Sequence, residues 1–380
     1  MMDFTLSEER RIMQQSLQRL LADDLQISSR IAALASDAGH NPLRWRNIAE
    51  LGGIGMILPA EAGGYGGEGE DIALVFEAMG RNLVAEPMLA TAVLGATPLW
   101  MADAAKYADL LADVMNGNQL MALCHGELES RYSLTRINTK ARQVKTKSSL
   151  EDWVLDGEKT VVFGGSIANW LVVSGRISDA ADDSPGIGLF LVRGDAHGVM
   201  RRSYSTIDAG PAAEVSFTAT PAQLITKEGL AILEAVHDRA ALALAAEAVG
   251  IAAKIQETTL DYLKTREQFG RRLSSFQVLQ HRMVDMLLDL EQLRSAVQLA
   301  SMQMAAPGPE TRRVIAAAKC LAGRLGKRIA EEAIQLHGGI AVCHETEIAH
   351  YARRLIMLDH QIGDADHYQG VFMRLGGMAG

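Results

Sequence analysis

Glu247 is the only ionisable residue in AALALAAEAVGIAA, residues Ala240–Ala253. A carboxylate surrounded by small apolar side chains loses hydration and its pKa rises, as a general base working near neutral pH requires. A buried Glu paired with an Arg, or one on the single wet stripe of a helix, is the structural alternative, and both stand open. Arg266-x-x-Phe269-Gly270 follows a long apolar stretch, and Phe276-Gln277 and Gln280-His281 come soon after. A guanidinium beside a flat aromatic suits an anionic ligand that carries rings; an Arg meeting the C-terminal helix dipole is the plain alternative. Gln335-Leu336-His337-Gly338-Gly339 offers paired glycines, which admit a ligand or another backbone at close range, or form a helix C-cap. Gly363-Asp364-Ala365-Asp366-His367 has two carboxylates whose spacing suits sugar hydroxyls or helix capping better than a metal. Gly64-x-Gly66-x-x-Gly69 matches a pyrophosphate-cradling pattern formally, but the residues before it read as helix and turn rather than strand. A tight turn is therefore expected there. Arg353-Arg354 offers charge for phosphates, with a solvated basic face as the default reading. No P-loop, HExxH or Ser/His/Asp arrangement is present.

These residues need long helices to carry them. The chain has 380 residues, 48% hydrophobic and 22% charged, proportions that argue against a long disordered protein. Aromatics are few at 5% while Gly (35) and Met (17) are plentiful, which points to closely packed helices with small and aliphatic cores. The net charge of −9 argues against nucleic acid or an anionic membrane as partner. Three scattered cysteines, Cys124, Cys320 and Cys343, make neither a disulfide framework nor a zinc site. No apolar run reaches the ~18 residues of a membrane span, and the polar start MMDFTLSEERR is no secretory signal; a cytoplasmic protein is expected.

Helical periodicity fills residues 1–118, with Ser7 as an N-cap, a helix over Asp71–Arg81 and another near Pro98–Gly117. Short β-type runs occupy 119–225: Val144–Lys147, Trp153–Leu155, Thr160–Phe163, Leu171–Ser174, Gly188–Val192 and Ala213–Phe217, with DGEK at Asp156–Lys159 as a turn. Long helices return over 226–380, at Glu228–Arg266, Phe276–Met304, Glu310–His337 and Glu345–Leu358. The fold class is α+β: an N-terminal helical domain (1–118), a central β-barrel or sandwich (119–225) and a C-terminal four-helix bundle (226–380).

Taken together, ELGGIGMILPAEAGGYGG (50–67), DGEKTVVFGGSIANWLVVSGR (156–176), YLKTREQFG (262–270), FQVLQHRMVDM (276–286) and QLHGG (335–339) resemble the acyl-CoA dehydrogenase family over nearly the whole chain. HGELESRYSL (125–134) with GDADHY (363–368) is similar to the small subunits of pimeloyl-CoA dehydrogenases. The resemblance implies the three-part fold above and FAD as cofactor. It places Arg266, Phe269 and Gln277 on FAD across a subunit interface, and Gln335, Gly338 and Gly339 near its phosphates and adenosine. Asp364 and Asp366 replace polar residues of a segment that meets the cofactor. The implied reaction is α,β-desaturation of an acyl-CoA, dicarboxyl or steroid-derived, with electrons leaving to an electron-transferring flavoprotein. The implied assembly is an obligate oligomer, either homomeric or with an unlike second dehydrogenase subunit.

The sequence departs from the family at the base. Ile362 and Ala240 stand at the two positions where the family carries a catalytic Glu, and Glu247, two helical turns after Ala240, is the candidate in their place. The flavin-side Thr residues are also replaced, in Gly126-Glu127-Leu128 and in Val161-Val162-Phe163. Three readings follow: an active dehydrogenase subunit with Glu247 as base, a partner subunit that completes FAD sites while an unlike subunit supplies the base, or another flavin chemistry on the same fold.

Overall fold

Ser7 opens the first helix as its spacing predicts: its Oγ accepts the Arg10 amide at 3.3 Å, and Glu8 and Glu9 sit in the positive first turn of α1 (Glu8–Ala22). The computed structural model describes residues 6–22, 27–144, 153–178 and 186–377. Helices α2 (Ile27–Ala35), α3 (Pro42–Leu51), α4 (Gly69–Arg81), α5 (Thr97–Asp103) and α6 (Ala108–Met115) follow. The single helix expected near Pro98–Gly117 is thus two, and a π-helix, Leu89–Gly95, precedes them. The described residues fall into two compact units, one drawn from 1–31, 68–84 and 241–380, the other from 32–67 and 85–240.

The second unit holds the strands β1 (Met121–Cys124), β2 (Lys140–Gln143), β3 (Trp153–Phe163), β4 (Trp170–Arg176), β5 (Ile187–Arg193), β6 (Val199–Ser205) and β7 (Pro211–Thr226). β4 pairs β5, β5 pairs β7, β7 pairs β3, β3 pairs β2, and β2 returns to β4, so the ladder closes into a barrel. Closure removes most free edges. Inward side chains such as Leu155, Val173, Phe190, Val215 and Phe217 fill it. Several sequence expectations are corrected here. Asp156–Lys159 is not a turn but the middle of β3, which stays paired with β7 through two register shifts. Gly157 sits at one of them with φ +153°, and a Cβ there would press within 2.6 Å of Thr139 Cα. Of the strand expected at Val144–Lys147, residues 145–147 fall outside the described residues; β2 ends just before it, at Gln143. β1 and β6 were not anticipated.

The first unit is helical: the residues of α7 (Gly229–Thr265) from Ala241 onward, α8 (Gln277–Gln303), α9 (Pro309–His337), α10 (Glu347–His360) and α11 (Ala365–Leu375). The first four match the long helices expected; α11 is additional. A two-residue ribbon, β8 (Glu267–Gln268) with β9 (Arg271–Arg272), turns the chain between α7 and α8. α9 is the hub against which α8, α10 and α11 pack. Small residues set the spacing. A Cβ at Gly80 of α4 would overlap the Glu247 carbonyl oxygen on α7, and one at Gly250 of α7 would overlap the Glu77 carbonyl oxygen on α4. The Ala-rich stretch around Glu247 is accordingly buried throughout.

Candidate functional site

In the helical unit, the ends of α7 and α9 meet. Tyr262 Oη donates to the His337 carbonyl at 3.2 Å, and the two rings stack with centroids 4.4 Å apart. That contact brings the Arg266–Gly270 segment to the same end as Gln335–Gly339, although some 70 residues separate them in sequence. Arg282 and Glu332 tie α8 to α9 near the same end. Arg266, Gln277 and Gln335 are all exposed there, and Phe269 is 88% exposed with φ +55°. Its ring stands edge-on to Phe276, 6.2 Å away. At Gly270, Gly338 and Gly339 an added Cβ would meet nothing within 4 Å, so bare backbone faces open space. A guanidinium, two amide side chains, an aromatic face and accessible backbone form a donor set that fits a large, anionic, ring-bearing cofactor.

The other sequence candidates are placed differently. Glu247 is buried, and both its oxygens are held by Arg354, Oε1 by Nε at 2.6 Å and Oε2 by Nη2 at 2.8 Å. Arg354, expected on a solvated face, is thus turned inward as the partner of that carboxylate. Asp364 caps α11, accepting the His367 amide at 2.8 Å. Asp366 is exposed two residues on, in the first turn of α11, with Arg324 3.5 Å away. Ile362, at a position where the family carries its base, has φ +55°.

Several buried polar clusters were missed by sequence reasoning. Lys319 of α9 is buried, and its Nζ donates to the carbonyls of Leu358, Asp359 and Gly363 at 2.9, 3.0 and 2.9 Å. Burial pulls its pKa down to about 8, against the opposing pull of Asp359 and Asp364. In the barrel unit, Lys159 is fully buried and spends its three protons on Glu127 Oε1 (2.8 Å), Ser174 Oγ (3.0 Å) and the His125 carbonyl (3.2 Å). Ser174 Oγ also lies 3.0 Å from His125 Nδ1, which ties the imidazole into the same buried cluster. Burial, then the charges of His237 and Lys159, hold His125 well below the usual histidine range. Burial pushes Glu127 up, but Lys159 and hydrogen bonds from Thr139 and Asn138 outweigh it, and its pKa ends below the usual carboxylate range. The signal in the sequence was a Lys on β3 among inward residues; the register shifts of that strand hide its phase.

The glycine pattern 64–69 opens α4 at Gly69, but no strand precedes it. A Cβ at Gly64 or Gly66 would overlap the carbonyl oxygens of Leu58 or Met56, so these glycines serve close backbone packing rather than a phosphate. Arg239 fastens the same loop, donating to the carbonyls of Ile57 at 2.8 Å and Gly67 at 3.0 Å.

A closed barrel in one unit and, in the helical unit, an open set of donors for an anionic, ring-bearing cofactor describe a class of flavin-binding oxidoreductases. Residues 7–115 match the family description "Acyl-CoA dehydrogenase, N-terminal domain" and residues 227–362 "Acyl-CoA dehydrogenase, C-terminal domain". The acyl-CoA dehydrogenase IpdE2 of Mycobacterium tuberculosis is 30% identical over 353 residues, covering 92% of this chain and 92% of that protein. The solved structure titled "Tcur3481-Tcur3483 steroid ACAD G363A variant" superposes with a TM-score of 0.85 at 28% identity, covering 98% of this chain and 99% of the other. The "FAD complex of PigA" shares the fold, with a TM-score of 0.89 at 22% identity and full coverage of both chains. The chain belongs to the acyl-CoA dehydrogenase family, a family of flavoprotein oxidoreductases. No helix among the described residues is long and apolar enough to cross a membrane.

Proposed function

We propose that this chain is one subunit of a heteromeric, FAD-dependent acyl-CoA dehydrogenase that introduces an α,β double bond into an acyl-CoA thioester. The observation that carries this reading is the Glu247–Arg354 pair. Glu247 is the one carboxylate in the Ala240–Ala253 stretch, and Ala240 and Ile362 are apolar. To accept an α-proton, Glu247 would have to give up a buried two-point ion pair, and breaking such a pair costs about 3–5 kcal/mol. Glu247 is therefore assigned to fixing α7 against α10, and the proton-accepting carboxylate to an unlike subunit.

Bound FAD supplies the acceptor for the two electrons of the desaturation. This chain's share is to hold it. Arg266 would hold its anionic part, Gln277 and Gln335 would offer amide hydrogen bonds, and Phe269 would offer an aromatic face. The open backbone at Gly338 and Gly339 would admit its phosphates, and Asp364 and Asp366 would offer acceptors for its sugar hydroxyls. The exposure of these side chains on the single chain supports a site completed by a neighbouring subunit. The solved steroid ACAD similar to this chain is named for two components, which supports the heteromeric reading, and its steroid title supports a ring-bearing acyl-CoA as substrate. An electron-transferring flavoprotein is the proposed acceptor.

The test is the visible spectrum of the chain, alone and co-purified with an unlike dehydrogenase subunit, before and after anaerobic addition of an acyl-CoA panel. The complex is expected to carry flavin that bleaches, and E247Q in that complex to bleach within a few-fold of the unmodified rate. Bleaching by the chain alone, abolished in E247Q, would overturn the assignment and make Glu247 the base.

A further inference from the structure

The turn between α10 and α11 holds a residue in a conformation that it does not favour. Ile362 is β-branched and lies at φ +55°. Left-handed backbone is strained at such a residue and persists only where the surroundings over-determine it. The surroundings here converge on one ammonium. Lys319, 1% exposed, reaches from α9 to the carbonyls of Leu358 and Asp359 before Ile362 and of Gly363 after it. Asp359 Oδ1 also accepts the Ala365 amide at 2.9 Å, and Gly363 at φ +144° lies so close to Tyr368 that a Cβ would come within 2.6 Å of its ring. A Lys is the side chain for this task, because its ammonium presents three donors from one point. Its positive charge also suits the carbonyl end of α10 and the carboxylates of Asp359 and Asp364.

We propose that Lys319 is a positioning residue, an ammonium latch that holds the Gln361–Asp364 turn in its strained form and thereby fixes where the first turn of α11 presents Asp364 and Asp366 to the cofactor. The presentation to the cofactor rests on the function proposed above; the latch itself does not. The latch predicts a specific coupling. A glycine adopts positive φ without strain, so Ile362→Gly removes the load that Lys319 opposes.

Native-state hydrogen exchange over residues 361–368, read beside the dissociation constant of FAD, tests the latch in Lys319→Met, Ile362→Gly and the double variant. Lys319→Met is expected to raise exchange in the turn about tenfold while the β5 peptide stays within about twofold. It is expected to weaken FAD binding about tenfold, which corresponds to 1.4 kcal/mol. Adding Ile362→Gly is expected to recover half or more of both changes on a logarithmic scale. Unchanged exchange in folded Lys319→Met would overturn the latch, and faster exchange with unchanged FAD affinity would overturn its positioning role. Should Lys319→Met fail to fold, a folded double variant upholds the coupling, and a double variant that also fails overturns it. An unmodified chain that takes up no FAD, alone or with a partner subunit, would count against the proposed function, while exchange would still decide the latch.

Discussion

A buried lysine is stable only where each of its protons finds an acceptor, and Lys159 and Lys319 meet that condition with different partners: a carboxylate, a hydroxyl and a carbonyl for the first, three carbonyls for the second. Lys159→Met would leave Glu127 and Ser174 without that ammonium. Removing one member of a buried pair costs about 3–5 kcal/mol. Glu127 keeps its bonds from Asn138 and Thr139, so the expected loss lies at the lower end, about 3 kcal/mol in denaturant unfolding. A loss below about 0.5 kcal/mol would show the pair to be idle. His125 gives a pH signature. Its pKa in the fold lies below the unfolded value of about 6.5, so the unfolded chain takes up the proton first as pH falls. The stability contributed by the neutral imidazole is present above about pH 6.5 and is lost progressively below it. Burial lowers His40, His337, His350 and His367 as well, which adds to the same slope. The unfolding free energy is expected to fall between about pH 6.5 and 5, less steeply in His125→Gln; a flat profile would contradict the placement.

Elements are held by what is missing from their faces. Gly80 on α4 and Gly250 on α7 each sit against a carbonyl of the opposite helix. Gly80→Ala and Gly250→Ala should each force the helices apart and destabilise by about 1–3 kcal/mol, despite the better helix propensity of Ala. A stabilising Gly→Ala at either place, read by thermal unfolding, would mean that the contact is loose. The glycines of the 64–69 loop follow the same logic, which is why their sequence pattern imitates a phosphate cradle without being one. The turn expected at Asp156–Lys159 failed for a related reason. Gly157 signals a break in regular backbone, but a bulge inside a paired strand and a hairpin turn call for the same residue.

At the scale of the whole molecule, the proposed function requires the exposed end that joins Arg266, Phe269, Gln277 and Gln335 to be covered by cofactor and a neighbouring subunit. Phe269 packs only at its edge, so Phe269→Ala should leave the stability of the apo chain within about 0.5 kcal/mol. In the oligomer it should weaken FAD retention about tenfold, 1.4 kcal/mol, measured by equilibrium dialysis against the flavin. Unchanged retention would remove Phe269 from the cofactor site.

Periodicity alone placed the four long helices and the change to strands and back, because each is an alternation that burial imposes on a local run of sequence. The motif order placed the chain in its family. Burial could also be foreseen for Glu247, since a lone carboxylate in an alanine-rich run is desolvated wherever the run packs. Its partner could not be foreseen: Arg354 lies 107 positions away, and only the packing of α10 on α7 decides whether that carboxylate is a free base or half of an ion pair. The same holds for Lys319, for the meeting of His125 with Ser174, and for the meeting of Arg266 with Gln335 through Tyr262 and His337. Each depends on which groups the fold brings within 3 Å or so of each other, and hydrogen bonds reach no further.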